Sequence, residues 1–234
     1  MILISLIQIL LVVISTGISA LLAALGLLVS KELSFWIAKN IWANSVCFIV
    51  RCKIEVSGKQ ELSKMKKPVI FCANHLSNFD IIALYNSVDR PIYFIAKKEL
   101  SKIPFLGWYM KAAGMIFIDR SNSEKAINSM REAGDLIKKG RNIITFPEGT
   151  RSKDGNIGKF KKGSFLIAYS ENIPIIPIAI KNSDKINPNN SLRIYKSTIN
   201  VNIGNLITDY SRFNSPDKLA DYTHNEVKNL LKEI

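Results

Sequence analysis

Two short polar segments, each placed directly after an apolar run, carry the residues best suited to chemistry. The first is Asn74-His75-Leu76-Ser77-Asn78-Phe79-Asp80. Only two histidines occur in the chain, His75 and His224, so imidazole chemistry falls to one of them. His75 and Asp80, five residues apart, do not share a face of one continuous helix. With a strand end and a loop between them, the carboxylate can fold back onto the imidazole. It would then fix the tautomer, stabilise the imidazolium and leave the other ring nitrogen as general base. Ser77 or Asn78 can cap the helix that follows, which puts Asp80 in its first turn. The plain alternative is a capped helix with an incidental histidine.

The second segment is Phe146-Pro147-Glu148-Gly149-Thr150-Arg151-Ser152. Gly149 allows backbone to approach a ligand closely. Thr150 and backbone N–H groups can donate to an anion, and Arg151 offers a bidentate fork for phosphate. An isolated Gly-Thr-Arg would read as a polar turn. Two further segments are weaker on their own. Gly114-Met115-Ile116-Phe117-Ile118-Asp119-Arg120 ends a strand in a charged pair, which alone is a surface salt bridge. Ile173-Pro174-Ile175-Ile176-Pro177-Ile178-Ala179-Ile180 places two prolines in an apolar strand. That suggests an edge strand or bulge lining an acyl groove, against plain core as the alternative.

The elements that must position these residues follow from apolar patterning. Strands are expected at 53–58, 68–74, 91–97, 115–119, 142–147, 174–180, 192–196 and 198–204. Several are continuously apolar, as strands covered on both faces should be. Helices are expected at 79–88, 105–113, 123–139 and 164–171, and from Ser215-Pro216-Asp217 onward, a cap followed by proline at the first position. Ile127, Met130, Ala133 and Ile137 keep helical spacing, and Gly140 suits the stop. The alternation implies an α/β domain: a central, mostly parallel β-sheet flanked by helices.

Composition adds a partner. The chain has 234 residues, with 32 Lys and Arg against 19 Asp and Glu, a net charge of +13. Residues 1–30 contain no charged residue, so the excess sits from Lys31 onward. A bilayer-spanning helix needs about 20 apolar residues. The head is therefore expected to be a single tilted span, or a helix broken near Ser15-Thr16-Gly17 or a hairpin that dips into one leaflet. A buried soluble helix is the plain alternative, and such helices rarely run this long without charge. The break favours the dip. No basic n-region of a secretion signal precedes the apolar run. Lys31, Lys39, Arg51 and Lys53 follow it, placing the body on the cytoplasmic face of the inner membrane. Trp36 and Trp42 with Lys39 read as interfacial anchors or as core aromatics. The division expected is a helical membrane-anchoring region, 1–50, and an α/β domain, 51–234. A membrane, rather than nucleic acid, accounts for charge and head together. Cys47, Cys52 and Cys72 form no CxxC pair, so neither a disulfide framework nor a zinc site is expected, and no metal or cofactor. The thiols fit a reduced compartment.

In order, NHLSNFD, GMIFIDR, FPEGTRS and IPIIPIAI resemble the four sequence blocks of the 1-acylglycerol-3-phosphate acyltransferase family of glycerolipid acyltransferases. The resemblance extends to YFIAKKEL and KFKKGSF and covers residues 74–180. It implies transfer of a fatty acyl group from acyl carrier protein or coenzyme A to the sn-2 hydroxyl of lysophosphatidic acid, giving phosphatidic acid. It also implies an α/β domain with an N-terminal membrane element. His75 would be the base and Asp80 its orienter. Glu148, Gly149, Thr150 and Arg151 would form the phosphate-acceptor block, joined by Arg120. The residues agree: direct attack by the acceptor hydroxyl needs one His-Asp pair and no enzyme nucleophile. Lys97 and backbone N–H groups near His75 are candidates for the oxyanion donors such a reaction needs. Other readings are transfer to another lysolipid or to glycerol 3-phosphate, lipid hydrolysis by the same pair, and a non-enzymatic basic protein binding anionic lipid or RNA. The last leaves NHLSNFD and FPEGTRS without purpose.

Overall fold

A computed structural model describes residues 2–119, 123–188 and 191–234, with the side chains of 123–130 outside the description. The chain opens with α1 (Ile2–Leu27), then α2 (Lys31–Ile37), a π-helical turn (Ala38–Ala43) and α3 (Asn44–Val50). The α/β part runs β1 (Lys53–Ser57), β2 (Ile70–Ala73), α4 (Phe79–Ser87), β3 (Ile92–Lys97), α5 (Leu106–Ala113), β4 (Ile116–Ile118), α6 (Ser123–Lys138), β5 (Asn142–Thr145), α7 (Gly163–Ser170), β6 (Ile175–Lys181), β7 (Thr198–Ile203) and α8 (Pro216–Lys232). Seven strands form one sheet in the order β1-β7-β6-β2-β5-β3-β4. Neighbours pair in parallel except β6 with β7, which is antiparallel. The continuous apolar runs have their expected cause: all of β2 and β5, and β6 up to Ile180, are buried.

Parallel β2, β5 and β3 end at the same edge of the sheet, with Phe71 level with Ile144 and Ile144 level with Phe94. The loops that follow them, carrying His75, Glu148 and Lys98, therefore emerge side by side. Clefts at the carboxyl edge of an open parallel sheet are where such folds place their ligands.

Three expectations are corrected. The head is not broken at Ser15-Thr16-Gly17. α1 runs unbroken through it, Thr16 Oγ1 donating back to Val12 O at 2.7 Å, and the break falls at residues 28–30. Residues 192–196 form no strand. Ile194 N donates to Ser5 Oγ at 3.0 Å and Tyr195 N to Ile186 O at 2.8 Å, so their hydrogen bonds go to α1 and a loop instead of a ladder. The proline-bearing β6 is interior, between β2 and β7, and Ile175, Ile176, Ile178, Ala179 and Ile180 are core rather than groove. Pro177 is tolerated because its missing donor faces the point where β7 ends. Past the last ladder pair, Ile178 with Ile203, Gly204 N donates to Pro177 O at 2.8 Å.

α1 packs along the domain through small residues. Ser5, Ser19, Ala20, Ala23 and Gly26 are buried, while Ile4, Leu11, Ile14, Ile18 and Leu25 are exposed. Gln8 Nε2 donates to Ile49 O at 2.7 Å, and Trp42 Nε1 to Thr16 Oγ1 at 3.0 Å. Trp42 also stands edge-on to Tyr85 at 5.5 Å and is thus a core aromatic, whereas Trp36 is exposed.

Candidate active site

β2 delivers His75 to the sheet edge, and Asn74 fixes the strand end. Its amide exchanges two bonds with the Ile180 backbone, Nδ2 to O at 2.9 Å and N to Oδ1 at 2.7 Å. The chain then turns into α4, whose first turn carries Asp80. Ser77 Oγ accepts from Phe79 N at 3.3 Å, and Asn78 makes no side-chain cap. Asp80 is fully buried. Its Oδ2 accepts from His75 Nδ1 at 2.7 Å, Leu76 N at 2.7 Å and Ser77 N at 2.9 Å, while Oδ1 accepts from Ser183 Oγ. A buried carboxylate must be saturated with donors, and this one is. The imidazole lies flat on Phe146, ring centroids 4.1 Å apart. With Nδ1 held by Asp80, Nε2 is the nitrogen available to a reacting proton.

β5 delivers the second segment. The Glu148 carboxylate is buried, accepting from His75 N and from Gly158 N, each at 2.8 Å. It thus lies behind the histidine and clasps the loop that returns to α7. Burial pushes the Glu148 pKa up, against the opposing pull of its two backbone donors and His75. Ser152 N donates to His75 O at 2.8 Å, a second tie between the segments. Gly149 has φ of +77°, a conformation that suits glycine. A Cβ there would lie 2.9 Å from Lys161 Nζ. Thr150 and Arg151 are exposed at the rim. Among the described residues, no hydrogen bond or ion pair is recorded for the Arg151 guanidinium.

His75, Asp80, Glu148, Gly149, Thr150 and Arg151 are thus brought together by β2 and β5. Lys97 ends β3, two strands from β2 or about 10 Å away, and is exposed beside Glu99 at 3.5 Å. Arg120 lies outside the described residues. The backbone N–H groups of His75, Leu76 and Ser77 are taken by Glu148 and Asp80, which removes them as oxyanion donors. Ser183 is the participant that sequence reasoning missed. It is 103 residues from Asp80, and no local spacing signals it. His224 packs edge-on to Phe160 at 5.1 Å.

The Acyltransferase family model matches residues 53–181. The chain is 35% identical over 161 residues to a chloroplastic 1-acyl-sn-glycerol-3-phosphate acyltransferase of Brassica napus, covering 69% of this chain and 46% of that protein. To a 1-acyl-sn-glycerol-3-phosphate acyltransferase of Pseudomonas aeruginosa it is 32% identical over 170 residues, covering 72% of this chain and 64% of that one. It thus spans about half to two thirds of the length of these relatives. A solved structure, the 1-acyl-sn-glycerophosphate acyltransferase PlsC from Thermotoga maritima, superposes with a TM-score of 0.84 at 26% identity, covering 99% of this chain and 94% of that one. With the family model spanning the sheet from β1 to β6 and both polar segments inside the match, the chain belongs to the acyltransferase family.

Proposed function

We propose that the protein is a membrane-associated 1-acylglycerol-3-phosphate acyltransferase. It transfers an acyl group from an acyl carrier protein or coenzyme A thioester to the sn-2 hydroxyl of lysophosphatidic acid. The observation that carries the reading is the His75 Nδ1–Asp80 Oδ2 bond of 2.7 Å, whose acceptor oxygen also takes two backbone donors. Asp80 is thereby fixed, and it fixes the imidazole in turn. His75 Nε2 removes the acceptor proton as the hydroxyl oxygen attacks the thioester carbonyl. The tetrahedral adduct collapses, the C–S bond breaks, and the thiolate takes the proton from the imidazolium. No covalent enzyme intermediate is required.

Glu148 positions His75 rather than meeting phosphate, since a carboxylate committed to two N–H groups has nothing to offer an anion. Arg151, with the Thr150 hydroxyl, is the phosphate contact, and Lys97, exposed at the end of β3, is kept as a substrate contact. Residues 1–50 anchor the enzyme, and the domain from 51 onward carries out transfer at the cytoplasmic face of the inner membrane. α1 lies in the plane of one leaflet. It is tied to the domain at Ser5, whose Oγ accepts from Ile194 N, and to the rest of the anchoring region at Gln8 and Thr16. A helix crossing about 30 Å of hydrocarbon would carry Ile194, the domain residue bonded to Ser5, into it. Product identification by mass spectrometry tests the substrate. Incubation with one acyl thioester and a panel of acceptors should yield phosphatidic acid from lysophosphatidic acid. Acylation of a different lysolipid or of glycerol 3-phosphate in its place would refute that acceptor.

A further inference from the structure

The 3-10 turn after β3 (Lys98–Lys102) and the start of α5 present an apolar surface that neither core nor site uses. Leu100, Ile103, Phe105 and Trp108 are all exposed, Trp108 to 60%. The surface is rigidly built. Gly107 N donates to Ile103 O at 2.7 Å and Ile103 N to Leu100 O at 3.2 Å. A Cβ on Gly107 would meet the carbonyl oxygens of Ser101 and Leu100 at 2.6 and 2.7 Å, so turn and helix are in backbone contact. Phe105 holds φ of +60°, a strained conformation for a bulky side chain. Its ring stands edge-on to Trp108 at 5.2 Å. Strain that holds an aromatic pair outward gains nothing for core packing.

Its position indicates the occupant. The stretch leaves the carboxyl end of β3, the same sheet edge from which the His75 and Gly149 loops emerge. Phe105 lies against α1, its Cδ2 4.0 Å from where a Cβ on Gly17 would sit. The apolar surface therefore continues the exposed side of α1 around Ile14, Ile18 and Leu21. Lys102 and Lys111 are exposed at its rim, whereas Lys98 is paired with Asp119 at 3.3 Å. Aromatic side chains flanked by lysines suit the boundary between anionic headgroups and acyl chains.

We infer that residues 100–108 form a second bilayer contact, inserted beside α1 into an anionic leaflet and holding the mouth of the site against it. The inference rests on the membrane reading above, because it gives a lipid acceptor a short path from leaflet to His75. The test uses the full chain reconstituted into vesicles of zwitterionic and anionic phospholipid, with Trp108→Phe subtracted so that the Trp108 emission stands alone. That emission should be blue-shifted, quenched by lipids brominated high on the acyl chain, and shielded from iodide. Phe105→Ser combined with Trp108→Ser should lower transfer to long-chain lysophosphatidic acid in vesicles several-fold and leave transfer to a short-chain acceptor in solution unchanged. Water-like emission open to iodide would overturn the inference. So would a shift seen only when acyl carrier protein is added, which would assign the surface to the donor, or an equal loss on both acceptors. If the wild-type protein acylates no lysophosphatidic acid, the proposed function fails while the Trp108 emission still decides the contact.

Discussion

Asp80 gathers four donors around one buried carboxylate, from His75, Leu76, Ser77 and Ser183, and Glu148 gathers two. A neutral amide in either place turns one acceptor into a donor that faces a donor. In Glu148→Gln the new NH₂ meets either His75 N or Gly158 N, and an unsatisfied buried group costs about 1–3 kcal/mol. The variant should fold with a lowered melting temperature and a reduced kcat, with KM little changed, because His75 loses its backbone anchor. Its pH response carries a sign. Burial raises the carboxyl pKa in the folded state, so the folded chain holds that proton more tightly than the unfolded one. Stability from this group therefore falls as pH rises through and above the ordinary carboxylate range. Melting curves across that range should show a shallower decline in Glu148→Gln than in the parent; parallel curves would contradict the assignment. At the rim, Arg151→Lys keeps charge and loses the fork. A charge-assisted bond contributes about 1.5–3 kcal/mol, so kcat/KM for the phosphorylated acceptor should drop roughly tenfold or more, with the donor less affected. If donor affinity alone suffers, Arg151 belongs on the donor side. The His-Asp pair was legible because both residues sit in one short segment after an apolar strand. Ser183 was not, because its contact depends on how β6 packs beside β2, and the inward turn of Glu148 is a choice between rim and core that spacing does not encode.

Among the elements, α1 and α2 pack tightly where Gly26 faces α2. A Cβ there would lie 2.9 Å from Ile37 Cδ1 and 3.2 Å from Ser34 Cα. Backbone cannot yield as a side chain can, so Gly26→Leu must splay the two helices. Overpacking of this kind typically costs about 1–3 kcal/mol. The expected outcome is a lower melting temperature and partial loss of vesicle binding, measured by flotation, with Gly26→Ala milder; a variant that binds and melts like the parent would show that the helices need not meet. Strand patterning was reliable where both faces are buried, as in β2, β5 and β6, since burial there demands continuous apolar sequence. It failed at 192–196, where a β-like composition is held by Ser5 and Ile186 instead of a neighbouring strand. Pro174, just before β6, and Pro177 within it read as an edge because proline lacks a donor. A donor can also be spared inside a sheet, wherever the adjoining ladder stops.

The molecule as a whole joins an uncharged head to a body bearing the entire net charge of +13. Apolar insertion survives salt, whereas lysine and arginine contacts with anionic lipid are screened. High salt should therefore leave the full chain on anionic vesicles and release much more of a chain lacking residues 1–30, which keeps only the smaller apolar contact of residues 100–108, if that shorter chain remains folded by circular dichroism. Full-length protein that washes off would mean that α1 does not insert. The proposal that α1 lies flat in one leaflet predicts that Ile2→Cys stays protected from an impermeant thiol reagent applied on the side away from the domain; labelling there would mean a span. The central claim, acyl transfer by an acceptor hydroxyl that His75 activates, is tested most directly by thiol release from an acyl thioester. Wild type and folded His75→Ala, both in vesicles, are compared with and without lysophosphatidic acid. Release should depend on acceptor in the wild type and fall by about 10²–10⁴ or more in His75→Ala. Near-normal release by folded His75→Ala, or wild-type release that is the same without acceptor, would contradict it.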